Sequence, residues 1–145
     1  MGLHVLVADD SVFVREIIRH HLERMGFHVV AEAANGAQAL DLYKALRPDL
    51  VTLDIIMPEV DGIDAPTALK GIKRENPKVP ILIVSAVPFE NTRHMFVNED
   101  VLDYVAKPVK KSSFEKMRRK LSAIYPCVAK ALPTTESGIC GKKPR

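Results

Sequence analysis

The chain has 145 residues, 47% hydrophobic and 27% charged, the balance of one globular domain and not of a disordered or fibrous chain. Its apolar runs are only a handful of residues long, far short of the ~20 that cross a bilayer. Lys and Arg number 21 against 18 Asp and Glu, yet residues 1–124 carry 17 of each, so the net charge of +3 lies in residues 125–145 and the body is no basic nucleic-acid platform.

Leu3-His4-Val5-Leu6-Val7-Ala8 reads as a buried strand running into Asp9-Asp10. Ser11 then caps a helix whose face is Val14, Ile17, Ile18, Leu22 and Met25, with Gly26 as its stop. Val29–Ala33 is a second strand, Asn35-Gly36 a turn, and Ala39, Leu40, Tyr43 and Leu46 a helix face ended before Pro48. Leu50–Leu53 is a third strand that runs into Asp54, followed by the loop Met57-Pro58-Glu59-Val60-Asp61-Gly62. Ala65, Ala68, Leu69 and Ile72 space the next helix, with Pro66 in its first turn.

Ile81–Val84 is a fourth strand, ending in Ser85-Ala86. A weaker helix is expected at about Glu90–Asn98, then a short strand Asp103–Ala106 ending in Lys107-Pro108. Phe114, Met117, Leu121 and Ile124 space a final helix. Strands alternating with helices demand a parallel sheet covered on both faces. Residues 125–145 read as a flexible basic tail holding both cysteines, Cys127 and Cys140, taken as reduced thiols of a cytoplasmic protein. The opening Met1-Gly2-Leu3-His4 has no basic stretch and no long apolar run, so no secretory leader is expected.

Ligands of an open parallel sheet bind beyond the carboxyl ends of its strands. Those ends offer Asp9 and Asp10, Asp54, Ser85 beside the small Ala86, and Lys107. Carboxylates crowded into a half-buried cleft call for a cation. Oxygen-only ligands suit Mg²⁺ or Mn²⁺. A hydroxyl and an ammonium facing that ion are what a phosphoryl group needs on its other oxygens.

Taken in order, Asp9-Asp10, Asp54, Met57-Pro58-x-x-Asp61-Gly62, Ser85-Ala86 and Lys107-Pro108 resemble the receiver domain of two-component response regulators, over residues 1–124. The resemblance implies a flavodoxin-like (βα)5 fold with strand order 2-1-3-4-5. It implies that Asp54 accepts a phosphoryl group, and that Asp9, Asp10 and Asp54 hold Mg²⁺ with the backbone carbonyl of Ile56. Ser85 and Lys107 then bind the phosphoryl oxygens, Ala86 leaves them room, the Lys107-Pro108 bond is cis, and Tyr104 is the switch aromatic. The implied partners are a sensor histidine kinase or histidine phosphotransfer protein and a downstream protein met through the fourth helix, fifth strand and fifth helix. No direct DNA binding, no membrane span and no enzymatic turnover beyond the protein's own phosphorylation and slow dephosphorylation are expected. The two positions that tune hydrolysis in this family are Ile56 and Val87 here, and neither side chain can orient a water.

Two enzyme-like or nucleotide-binding readings fit less well. An aspartate phosphatase resembles a D-x-D pattern, and Ile56 stands where its second acid belongs. A phosphate-binding loop would need a Gly-rich turn ending in Lys-Ser or Lys-Thr, whereas Asp-Asp-Ser-Val follows the first strand. The remaining alternative concerns output: a phosphorelay intermediate, or the receiver of a longer regulator.

Overall fold

Short β-branched runs, each too apolar to expose on either side, can bury both faces only as inner strands of a layered sheet. The computed structural model describes residues 2–96 and 99–125. Strands β1 (Leu3–Ala8), β2 (Phe27–Ala33), β3 (Leu50–Leu53), β4 (Ile81–Ser85) and β5 (Asp103–Ala106) form one parallel sheet, ordered β2-β1-β3-β4-β5. This is the flavodoxin-like order the resemblance implies. β2 begins two residues before the expected Val29, because Leu3 pairs with Phe27 and His4 with His28.

Alternation along the strands splits the core in two. Val5, Val7, Leu50, Leu82 and Val84 meet Ile18 and Leu22 of α1 (Val12–Arg24) and Phe114, Met117 and Leu121 of α5 (Lys111–Ser122). On the other face Leu6, Val51, Leu53 and Ile83 meet Ala39 and Tyr43 of α2 (Gly36–Leu46) and Leu69 and Ile72 of α3 (Ala65–Glu75). Helix starts follow the capping chemistry: Ser11, Asn35 and Asp64 accept from Val14, Gln38 and Thr67 backbone N–H groups. Asn35-Gly36, expected as a turn, is therefore a cap and a first helical residue. Glycine is required at position 36, since a Cβ there would lie 2.8 Å from the Asp64 carbonyl oxygen where α2 and α3 meet.

Two expectations need correction. The helix expected at about Glu90–Asn98 is α-helical only over α4 (Phe89–Thr92) and continues as a 3-10 turn, Arg93–Phe96; residues 97 and 98 lie outside the described residues. Its start at Pro88 has no side-chain cap, and the Thr92 hydroxyl turns back on the Phe89 carbonyl at 3.4 Å, a local bond that competes with helix continuation. At the other end, Tyr125, expected in the tail, packs with the folded body. Tyr125 is buried in the α1/α5 core and its hydroxyl reaches the Asp49 carbonyl at 3.4 Å. The rest of the expected tail lies outside the described residues.

β2 and β5 are the sheet edges. On β2, Glu32 accepts from Arg15 Nε at 2.9 Å and from Arg19, forming a clamp between the edge strand and α1. On β5, Asp103 is 3.4 Å from Lys120. Burial alone would raise the Glu32 carboxyl, but the Arg19 and Arg15 guanidiniums outweigh it and hold it below its ordinary value of 4.5. An acid depressed in the folded state adds stability above its unfolded pKa and loses it as pH falls through the folded one. Glu32→Gln is therefore expected to cost about 1 kcal/mol near neutrality. In urea melts the gap between parent and variant should shrink as pH falls from neutrality through the folded-state pKa, which lies below 4.5; a gap that stays constant over that range would contradict the clamp.

Candidate functional site

The sheet's hydrogen-bond ladder runs one residue past the strands and fixes the residues at its carboxyl edge. Asp9 N–H donates to the Ala33 carbonyl and Asp54 N–H to the Ala8 carbonyl, both at 2.9 Å, and Lys107 N–H donates to the Ser85 carbonyl at 2.8 Å. Four strands therefore deliver side chains to one place through backbone bonds, independently of loop packing. Asp9, Asp10 and Asp54, from two of these strand ends, each present one oxygen within 4.8 Å of the others. Asp9 and Asp54 are buried, at 0% and 3% exposure, while Asp10 faces solvent.

Lys107 Nζ lies 2.8 Å from Asp9 Oδ2 and 3.0 Å from Asp54 Oδ2. The second oxygens are held by backbone: Ser11 N–H donates to Asp9 Oδ1 at 2.9 Å and Ile56 N–H to Asp54 Oδ1 at 3.0 Å. Burial pushes the Asp54 carboxyl above its ordinary value, against the pull of the Ile56 N–H and Lys107, with Asp9 adding to the rise. Burial would lower the Lys107 ammonium, but its bonds to Asp9 and Asp54 win and hold it above the usual lysine range. One ammonium, in contact with Asp9 and Asp54, thus stands against a cluster of three carboxyl groups. The remaining two negative charges and the all-oxygen donor set fit a hard divalent cation.

Ser85, fully buried, accepts from the Val87 N–H at 3.1 Å. The Val87 carbonyl in turn accepts from the Tyr104 hydroxyl, which is also 3.1 Å from Thr92 Oγ1. The Tyr104 ring is half-buried and meets Phe89 edge to face at 5.0 Å. A continuous chain thus leads from Ser85 through the Val87 backbone and Tyr104 to α4. Ala86 and Ile56 are exposed at the mouth, with Ile56 at 52%. The Lys107-Pro108 bond is cis.

Of the residues expected at the site, Asp9, Asp10, Asp54 and Lys107 gather at this edge, Ser85 ends β4, and Tyr104 lies inside β5, linked to Ser85 through Val87. Two contributors were not foreseen. Thr92 anchors Tyr104 while only 2% exposed, and nothing in its sequence surroundings marks it. Arg15 donates through Nη1 to the Asp9 carbonyl and ties the acidic pair to Glu32. Its position four residues after the Ser11 cap, on the strand-facing side of α1, was the available signal.

The response regulator receiver domain model matches residues 5–119. The chain belongs to the response regulator receiver family. Chemotaxis protein CheY of Bacillus subtilis is 44% identical over 108 residues, covering 74% of this chain and 88% of that protein. CheY of Thermotoga maritima is 35% identical over 122 residues, covering 84% and 99%. Among solved structures, the CheX–CheY–BeF3–Mg²⁺ complex from Borrelia burgdorferi matches with a TM-score of 0.69 at 25% identity, covering 84% of this chain and 88% of that one. The receiver is a CheY-like, phosphorylation-dependent signalling switch. Receivers bind Mg²⁺ in the acidic pocket, are phosphorylated by histidine kinases and act by binding downstream proteins. They are signalling proteins and not classical enzymes. Among the described residues, no helix is long and apolar enough to cross a membrane.

Proposed function

We propose that Asp54 is the phosphoacceptor, that a histidine kinase or histidine phosphotransfer protein is the donor, and that the phosphorylated receiver acts through α4, β5 and α5. One observation carries this assignment: Asp54, nearly buried, has an oxygen within 4.8 Å of Asp9 and Asp10 and lies 3.0 Å from Lys107, which also reaches Asp9. Mg²⁺, with Mn²⁺ as a substitute, would be held by the Asp9, Asp10 and Asp54 carboxylates and the Ile56 carbonyl. Bound there, it neutralises the carboxylates and stabilises charge on the transferring group.

The chain's own residues do the rest. An Asp54 carboxylate oxygen attacks phosphorus; a P–O bond forms while the P–N bond to the donor imidazole breaks, leaving the electron pair on nitrogen. Lys107, already within reach of both carboxylates, pairs with the phosphoryl oxygens. Ala86 leaves room for them beside Ser85. A Ser85 hydroxyl drawn toward those oxygens must loosen its bond to the Val87 N–H. That change reaches Tyr104 and Thr92 through the Val87 carbonyl. Only contacts that differ between the two states can shift the equilibrium, and these do.

The surface that reads the change is a cleft of about 690 Å³ bounded by Pro88, Phe89, Leu102, Tyr104 and Lys120. Its exposed apolar wall suits a protein partner with a hydrophobic anchor, while Glu90, Asp103 and the Lys120 paired with Asp103 form a polar rim. The test is a map of backbone chemical shifts before and after phosphorylation with acetyl phosphate and Mg²⁺. Apart from the apex itself, the largest changes are expected between Ser85 and Ile124, with Thr92 and Tyr104 among them. Changes that leave that stretch unmoved would overturn the output assignment.

A further inference from the structure

The switch leaves one built feature unused, a cleft of about 330 Å³ between α1 and α5, lined by none of the apex residues. Its floor is apolar: Met25, and Phe114 with the His21 ring stacked on it at 5.0 Å and 20°. Its walls are cationic. His20 and Arg24 project from α1 and Lys111 and Arg118 from α5, with Glu115 as the single acid. Among the described residues, Arg24, Lys111 and Arg118 enter no ion pair. Arg15, Arg19, Arg47, Lys107 and Lys120, by contrast, each meet a carboxylate at 3.4 Å or less. Uncompensated cations converging on a concave surface raise the local concentration of anions.

We propose that this cleft is a second anion site, fitted to a small polyphosphate, the phosphate chain of a nucleotide included. Arginine forks match phosphate oxygens bidentately, and two such forks with a lysine approach from opposite walls. The volume lies at the small end of cavities that take small molecules. Charge argues against residues 125–145 as the occupant, since they carry +3. Burial lowers the His21 imidazole first, and His20, Arg24 and Lys111 lower it further, as a site of excess positive potential requires.

The experiment is calorimetric titration of the full chain with pyrophosphate and, separately, ADP, at low ionic strength without Mg²⁺. Saturable one-to-one binding is expected with the parent and with Lys107→Ala, which disables the apex. The double variant Arg24→Gln/Arg118→Gln should weaken it about 100-fold, roughly tenfold for each charge-assisted arginine contact, with an unchanged unfolding midpoint. Tighter binding of ADP assigns a nucleotide to the site; equal or tighter binding of pyrophosphate assigns the phosphate chain alone. In parallel, the His21 ring, faced by His20 and Arg24 from α1 and by Lys111, Glu115 and Arg118 from α5, should titrate at higher pH when the ligand is bound. The proposal is overturned by no saturable binding of either probe, by binding the double variant leaves unchanged, or by binding that Lys107→Ala removes.

Discussion

Asp54→Asn is expected to abolish labelling by acetyl phosphate and, in the same protein, to raise the unfolding midpoint. The first effect follows from chemistry: an amide oxygen is a poor nucleophile, and of the two buried carboxylates that Lys107 contacts, Asp54 is the one that keeps some exposure. Asp9 comes nearest, but its Oδ1 is tied to the Ser11 N–H, its carbonyl to Arg15, and it is fully buried. The second effect follows from burial. Asp54 titrates above its ordinary value, so the unfolded chain loses that proton first and folding stability falls as pH rises through the window above 3.8. Near neutrality the ionised, desolvated carboxylate is a net cost that Asn removes. Lys107 keeps Asp9 as its partner at 2.8 Å. Mass spectrometry after incubation with the donor, and a thermal melt without it, check both halves. Full labelling of the variant, with the phosphate mapped to another residue, would overturn the acceptor assignment. A lower midpoint would overturn the account of burial.

Ile56→Asn and Val87→Glu are each expected to speed loss of the phosphoryl group about tenfold. Hydrolysis needs a water in line with the Asp54–phosphorus bond, and one well-placed hydrogen bond worth ~1.4 kcal/mol in the transition state is tenfold in rate. Ile56 contributes backbone alone to the site, its N–H donating to Asp54 Oδ1, and leaves its side chain half exposed at the mouth. Val87 contributes backbone on both sides, its N–H to Ser85 and its carbonyl to Tyr104. Both side chains can therefore be exchanged without breaking the bonds that hold the acceptor or the switch, so a faster decay reads on water placement alone. The measurement is decay of phosphorylated protein after removal of the donor, with Mg²⁺ present. Unchanged decay in both variants, or decay of the parent within seconds, would show that another group, Glu59 or Glu90 among the exposed acids, positions the water.

What the sequence carried, and what it could not, divides along side chain and backbone. The acids of Asp9-Asp10 and Asp54, the hydroxyl of Ser85 and the amine of Lys107 are legible because their chemistry is in the side chain and their placement follows from apolar runs ending one residue earlier. The chain from Ser85 to Tyr104 was not legible, because its middle link is the peptide of Val87, which any residue type would supply. Thr92 closes that chain from a helix only one turn long. Its periodicity is too brief to place a face, and the same hydroxyl helps to cut the helix short. Tyr125 was assigned to the tail because the amphipathic spacing of α5 stops at Ile124. Its ring is buried by the turn after the helix, where its own N–H bonds to the Leu121 carbonyl.

The edges of the sheet limit how this protein can associate. An open strand with free N–H and carbonyl groups is a template on which another chain can add a further strand. β5 offers only four residues, and its Asp103 is tied to Lys120. β2 is longer, but Glu32 on it is clamped by two guanidiniums, so an incoming strand would have to pass charged groups held in place. Fibril-like growth and strand exchange between copies are thereby disfavoured at both ends of the sheet, whatever the state of the apex. Recognition is left to side chains on the helices and loops, the layer that a change at Ser85 and Tyr104 can rearrange, and a pool of this protein stays free to diffuse between donor and target.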